Sequence, residues 1–166
     1  MGNNIFEFKE MTEEFARDIC SWKYSGAYEM YSFDGDEEDY EQLLSGLYLP
    51  AVFCENGVLA GFIAVGPAAQ VRCDTVDNIY DDESFTDFAL GLRPQLCGLG
   101  KGYGDSLLKA CVEFLHEEFP EDGIRLTVAS DNLRAKHLYE KNGFSSVAVF
   151  DKQYKGKTVM FEIMIL

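Results

Sequence analysis

The sequence predicts a mixed α/β layer fold in one domain, residues 1–166, on three observations. Hydrophobic runs of period two and of helical period succeed one another as strand, helices, three strands, helix, strand, helix, two strands. A chain of 166 residues that is 47% hydrophobic is long enough to bury one proper core. Third, Gly98-Leu99-Gly100-Lys101-Gly102-Tyr103-Gly104 sets four glycines at alternate positions directly ahead of a helical pattern. Such a run forms neither strand nor helix, because glycine has too much backbone freedom to lose.

Each element has its own signal. Ile5-Phe6-Glu7-Phe8-Lys9 is a short first strand. Thr12 caps a helix whose first turn holds Glu13 and Glu14 and whose apolar face holds Phe15, Ile19 and Trp22. Residues 25–33 are aromatic and irregular, and the acidic run Asp34 to Glu41 leads into a short second helix through Leu43, Leu44 and Leu47, stopped by Pro50. Ala51–Glu55 and Val58–Val65 are strands joined across Asn56-Gly57, the strongest short hairpin signal. Gly66-Pro67 ends the second of them, and residues 68–82 are polar and irregular.

Phe85–Leu92 alternates as a strand, closed by Arg93-Pro94, and runs straight into the glycine loop. Leu107, Leu108, Cys111, Phe114, Leu115 and Phe119 then recur at helical steps. Ile124–Ala129 is a strand, Ser130 or Asp131 caps a helix over 132–142, and Gly143 suits its left-handed end. Phe144–Asp151 and Thr158–Leu166 pair as a hairpin across Lys155-Gly156-Lys157.

Charge placement narrows the function. Residues 1–90 hold four Lys/Arg against 19 Asp/Glu, whereas residues 91–166 hold ten of each. An acidic N-terminal half repels nucleic acid and anionic membrane and raises the local concentration of a cationic ligand. Tyr24, Tyr28, Tyr31 and Phe33 beside those acids suit an amine, through ring–cation and carboxylate contacts, and equally suit ordinary packing under a solvated face. No apolar run approaches the ~20 residues that span a bilayer, and no secretory leader precedes the first strand, so a cytoplasmic location is expected. Five cysteines without a Cys-x-x-Cys pair count against structural disulfides and a zinc site, and no metal is expected.

The glycine loop offers backbone N–H groups beside the positive end of a helix dipole, a site for phosphate. It fits neither common nucleotide fingerprint. Gly-x-Gly-x-x-Gly would need glycine at Tyr103 or Asp105, and the triphosphate loop needs Ser or Thr where Gly102 follows Lys101.

Two segments together point further. Leu92-Arg93-Pro94, Gly102-Tyr103-Gly104 and Leu107-Leu108 resemble the acyl-CoA signature of the GCN5-related N-acetyltransferase (GNAT) family. About thirty residues on, Asn132-Leu-Arg-Ala135-Lys-His-Leu138-Tyr139-Glu-Lys141-Asn-Gly143-Phe144 resembles the second family signature, Asn-x-x-Ala-x-x-Leu-Tyr-x-Lys-x-Gly-Phe. The resemblance covers residues 84–166, an acyl-CoA-binding half, and leaves 1–83 as an acceptor-side half. It implies a mixed, mostly antiparallel central sheet of about seven strands flanked by helices, with a splay between the fourth and fifth strands.

It further implies acetyl-CoA as cosubstrate. Backbone groups near Leu92 and Arg93 would pair with the pantetheine arm like an added strand, and the pyrophosphate would sit on amides of Gly100 to Gly104. Gly98, Leu99, Lys101, Tyr103, Asn132 and Ala135 complete the implied binding set. The family has Gln or Arg three residues before Gly102, where this chain has Leu99, although Gln95 fits a register on Gly98 and Gly100. Tyr139 lies two helical turns from Asn132 on one face, and the family role of this tyrosine is to give a proton to the departing thiolate. A phenol of pKa ~10 is protonated at neutral pH and can do so.

The implied reaction is direct attack of a primary amine on the thioester. A lysine-like amine is roughly one part in a thousand neutral at pH 7, an α-amino group about a tenth. A carboxylate base would help, with Asp87 or Glu83 as candidates. Acceptors left open are protein N-termini, polyamines, aminoglycosides and other small amines. A catalytically silent acyl-CoA sensor or scaffold of the same fold is the alternative. Strand edges and a long final hairpin could support a homodimer.

Overall fold

The computed structural model describes residues 4–73 and 78–166; Asp74 to Asp77 of the predicted irregular segment lie outside the described residues. The strands are β1 (Phe6–Phe8), β2 (Tyr48–Phe53), β3 (Leu59–Val65), β4 (Phe85–Leu92), β5 (Gly123–Ala129), β6 (Ser145–Tyr154) and β7 (Lys157–Ile165). The helices are α1 (Glu13–Cys20), α2 (Glu37–Leu43), α3 (Tyr103–Glu118) and α4 (Leu133–Lys141). All seven strands belong to one sheet, in the order β1-β2-β3-β4-β5-β7-β6. β1–β2, β2–β3, β5–β7 and β6–β7 pair antiparallel, and β4–β5 pair parallel. That parallel ladder runs from Phe85↔Gly123 to Phe88↔Leu126 and stops halfway along β4, as a splay between the fourth and fifth strands requires.

The chain divides into two compact units, one of residues 1–64 with 90–114 and one of residues 65–89 with 115–166. In the first, Phe6, Ala51, Ala60, Leu107 and Ala110 form a buried cluster under Phe8, Phe53, Leu90, Leu92, Leu96 and Tyr103. Leu107 and Ala110 are one helical step apart, so α3 turns a single apolar face to β1, β2 and β3. Thr12 caps α1 by accepting from Phe15 N at 3.2 Å, and Ala16 and Ile19 are the buried positions of that helix. The acidic run is largely explained by α2: Asp36 caps it through the Asp39 amide at 2.9 Å, and Glu37, Glu38 and Asp39 fill its first turn.

Pro50 corrects one expectation. It does not stop a helix; α2 ends at Leu43, Gly46 turns the chain at φ +90°, and Pro50 lies inside β2 opposite Phe62. Lys9 N donates to the Pro50 carbonyl at 3.0 Å, so the ring nitrogen faces the β1 side as well. There β1 has already ended at the Phe8↔Ala51 pair, and the missing N–H breaks no ladder bond.

In the second unit Ile124, Leu126, Val128, Phe144, Ile163 and Met164 are buried. The β6–β7 hairpin turns through Lys155 at φ +47° and Gly156 at φ +78°, two successive left-handed residues that match strand twist. The cap of α4 is a second correction. Neither Ser130 nor Asp131 fills it; Asn132 does, its side-chain oxygen accepting from Ala135 N at 3.1 Å.

Candidate functional site

The first unit holds the loop. Gly98, Gly100 and Gly102 have φ of +70°, +69° and +71°. Leu99 and Lys101 are not among the positive-φ residues, so the sign of φ alternates along the run. Alternation of this kind turns successive N–H groups toward one side, a concavity that suits an anion. α3 starts at Tyr103, the residue after Gly102, and the positive end of its dipole adds to the same place. A Cβ at Gly100 or Gly102 would meet nothing within 4 Å, so the cradle is open. Residues 98 to 102 are exposed, including the Lys101 ammonium stem. These features fit a pyrophosphate carried by its backbone contacts.

Tyr103 contributes differently from its neighbours. Its ring packs on Phe53 at 5.6 Å and Phe6 at 6.4 Å, anchoring the start of α3 to β1 and β2. What it can offer a phosphate is therefore its amide.

Leu92 and Arg93 are held from both sides. The Leu92 carbonyl accepts from Tyr24 Oη at 2.7 Å, and Arg93 N donates to the Ala60 carbonyl at 2.7 Å. The Arg93 side chain turns inward, with Nη2 on Asp18 at 2.5 Å, Nε on the Leu59 carbonyl at 2.9 Å and the guanidinium 5.0 Å over the Trp22 ring. Gly91 beside them leaves room for the Phe62 ring, which would have to shift if a Cβ stood there, 2.4 Å away.

The second unit holds Asn132, Ala135, Tyr139, Asp87 and Glu83. Asn132 and Tyr139 sit at the start and on the buried face of α4, with the Tyr139 ring 7% exposed and 5.9 Å from Phe144, edge to face. Asp87 is 4% exposed, and three N–H donors occupy its carboxylate: Arg125 Nε at 2.6 Å, Arg125 Nη2 at 2.9 Å and Gln70 Nε2 at 2.9 Å. These bonds hold the Arg125 guanidinium protonated even above its usual range. Glu83 is exposed, two residues before β4 begins.

Sequence reading does not single out Arg125, Gln70 or Asp18, and it places Tyr24 only among the aromatics suited to an amine, not against Leu92. Arg125 had a signal: a lone cation amid the apolar alternation of Ile124–Ala129 calls for a buried acid. Tyr24 and Leu92 are 68 residues apart, and no spacing rule links them.

The comparisons agree with this architecture. A sequence model of the Acetyltransferase (GNAT) family matches residues 12–144, and the chain belongs to that family of N-acetyltransferases. Among solved structures it is similar to a GNAT-family acetyltransferase from Bacillus anthracis, at 13% identity and TM-score 0.66, over 97% of this chain and 93% of that one. It is similar to a spermidine N-acetyltransferase chimera of Vibrio cholerae SpeG and hSSAT, at 19% identity and TM-score 0.71, over 98% and 95%. It is also similar to YncA from Salmonella typhimurium, in a structure with its cofactor acetyl-CoA, at 16% identity and TM-score 0.62, over 98% and 94%. No curated protein matches the chain. Among the described residues no helix is long and apolar enough to cross a membrane.

Proposed function

We propose that this acetyltransferase carries an acetyl group from acetyl-CoA to a cationic primary amine by direct attack, without a covalent enzyme intermediate. The observation that carries the reading is the alternating-φ glycine loop delivering its amides to the start of α3. In the reaction the neutral amine nitrogen bonds to the thioester carbon, the C–S bond breaks, the thiolate takes a proton from the Tyr139 phenol, and the proton that leaves the nitrogen as the amide forms restores that phenol. Backbone groups near Leu92 and Arg93, with Asn132 and Ala135, line the arm, so that holding both reactants together supplies much of the acceleration.

The amine must shed one proton. Asp87 serves as base if one of its three N–H donors yields to the incoming amine; Glu83 is the exposed candidate, just ahead of β4. An α-amino acceptor, about a tenth neutral at pH 7, needs the least help. Support for a cationic acceptor comes from the 19 acids among residues 1–90 and from likeness to a spermidine N-acetyltransferase chimera. Small-molecule amines and protein N-termini both fit that chemistry.

Calorimetric titration with acetyl-CoA, followed by an amine screen read as free thiol, tests the reading. Wild type should bind in the micromolar range and Gly102→Asp should not, because the change forces a side chain onto φ +71° and sets a charge against phosphate. Tyr139→Phe should lower turnover by about 10²–10⁴-fold. Absence of acetyl-CoA binding by the wild type, or full turnover by Tyr139→Phe, overturns the proposal.

A further inference from the structure

The peptide group between Leu92 and Arg93 has both of its polar atoms engaged within the protein. Its oxygen takes the Tyr24 hydroxyl at 2.7 Å, and its N–H goes to the Ala60 carbonyl at 2.7 Å. Along an extended strand N–H and C=O alternate between the two edges. Arg93 N faces β3, so the Leu92 carbonyl lies on the edge of β4 turned away from β3, and Tyr24 reaches it there. That edge is the one on which the β4 ladder has already ended, at Phe88.

The side chains around this peptide form one connected group. Asp18 gives one carboxylate oxygen to Trp22 Nε1 at 2.9 Å and the other to Arg93 Nη2. Trp22, 4% exposed, lies under the same guanidinium, which also donates to the Leu59 carbonyl. A planar guanidinium shared among a carboxylate, a carbonyl and an indole face has few other orientations available. The end of α1 and the segment after it thus fix the plane of one β4 peptide. This is a large commitment for a peptide that needs no help to be a strand end.

We propose that Asp18 and Tyr24 are positioning residues for acetyl transfer, acting through the Leu92–Arg93 peptide to present the β4 edge to the acyl-CoA arm. The inference rests on the reading of Leu92 and Arg93 as backbone partners of that arm. Neither side chain performs chemistry. Tyr24 sets the tilt of the peptide from the open edge, and Asp18 sets it from behind through Arg93. An arm that pairs like an added strand depends on that tilt, whereas a phosphate held on the Gly98–Gly104 amides does not.

The two halves of the cosubstrate separate this role from a general structural one. Affinities of wild type, Tyr24→Phe and Asp18→Asn are measured for acetyl-CoA and for adenosine 3′,5′-bisphosphate, which carries phosphates but no arm. Loss of one hydrogen bond from the peptide should weaken acetyl-CoA binding about two- to tenfold, with the bisphosphate affinity unchanged. Asp18→Asn should also shift the emission of Trp22, the only tryptophan of the chain, which reports that the group has loosened. Asp18→Glu should restore part of the acetyl-CoA affinity. Equal weakening of both ligands overturns the proposal in favour of a general packing defect. Unchanged or tighter acetyl-CoA binding by Tyr24→Phe overturns it too, and that variant suffices if Asp18→Asn fails to fold. A wild type that binds the bisphosphate but not acetyl-CoA overturns the proposal, and a wild type that binds neither overturns the functional reading beneath it.

Discussion

Asp87 and Arg125 are direct partners across the parallel β4–β5 ladder, and Arg125 Nε and Nη2 donate to the two Asp87 carboxylate oxygens at 2.6 and 2.9 Å. At 4% and 5% side-chain exposure the pair is shut away from water. Burying two charges costs free energy that their attraction only roughly returns, but removing one alone strands the other. Asp87→Ala should therefore destabilise the fold by about 3–5 kcal/mol, and the double change Asp87→Leu with Arg125→Met should recover most of that loss. Urea unfolding of the three proteins checks it. A single variant as stable as wild type would refute the account. If Asp87 also serves as the base, Asp87→Asn should lose turnover at temperatures where it remains fully folded.

Much of this arrangement was legible in the sequence, and what was not has a common cause. Periodicity placed β4 at Phe85–Leu92, the observed bounds, because alternation over eight residues is a strong local signal. The Thr12 cap and the Gly143 left-handed end are likewise local, each set by one or two residues. The β2–β3 hairpin forms where Asn56-Gly57 marks it, but through the four residues Cys54 to Gly57, of which Gly57 alone is left-handed. Pro50 misled because its effect depends on which edge of β2 its nitrogen faces, and that is decided by where β1 ends. The sequence marks Asn132 for the cofactor arm and Ser130 or Asp131 for the cap; the structure gives Asn132 the cap, and a side-chain amide has donors as well as an oxygen. The Tyr24–Leu92 and Asp87–Gln70 contacts join residues 68 and 17 positions apart, and such pairings arise only once the sheet is assembled.

Tyr80 sets an alkaline limit on stability. Its hydroxyl accepts from Val71 N at 2.9 Å and shares a hydrogen with Thr127 Oγ1 at 2.8 Å, pinning the chain before β4 onto β5. Burial pushes the phenol above its ordinary value of 10.0, outweighing the hydrogen bonds that favour the phenolate. The neutral form is thus preferred in the folded chain. Its stabilising contribution is fully present below the unfolded value of 10.0 and is lost as pH rises through the higher folded value. Tyr80→Phe should cost about 1–2 kcal/mol near pH 8 from the two lost bonds. Its unfolding midpoint in urea should then fall less steeply than that of wild type above pH 10. Parallel curves for the two proteins would assign the alkaline loss elsewhere.

Cysteine labelling offers a readout of the core. Cys54 is exposed, whereas Cys111, in the middle of α3, has no solvent contact. Burial drives the Cys111 thiol far above its ordinary 9.0, so at pH 8 the reactive thiolate is scarcely present while the chain is folded. Cys20 is shifted the same way, first by burial and then by Asp39 and Asp36. With a chromogenic disulfide reagent at pH 8, Cys54 should react within the fast phase. Cys111 should react only as fast as the chain unfolds, and its labelling across a urea series should follow the loss of far-ultraviolet circular dichroism. Because Leu107 and Ala110 on the same helix carry the buried cluster of the first unit, a destabilising change in that cluster should speed Cys111 labelling and leave Cys54 unaltered. Rapid labelling of Cys111 in the native protein would mean that α3 opens without global unfolding. That would make the helix whose first turn faces the proposed phosphate a locally mobile element, and acetyl-CoA should then slow the labelling in proportion to its occupancy.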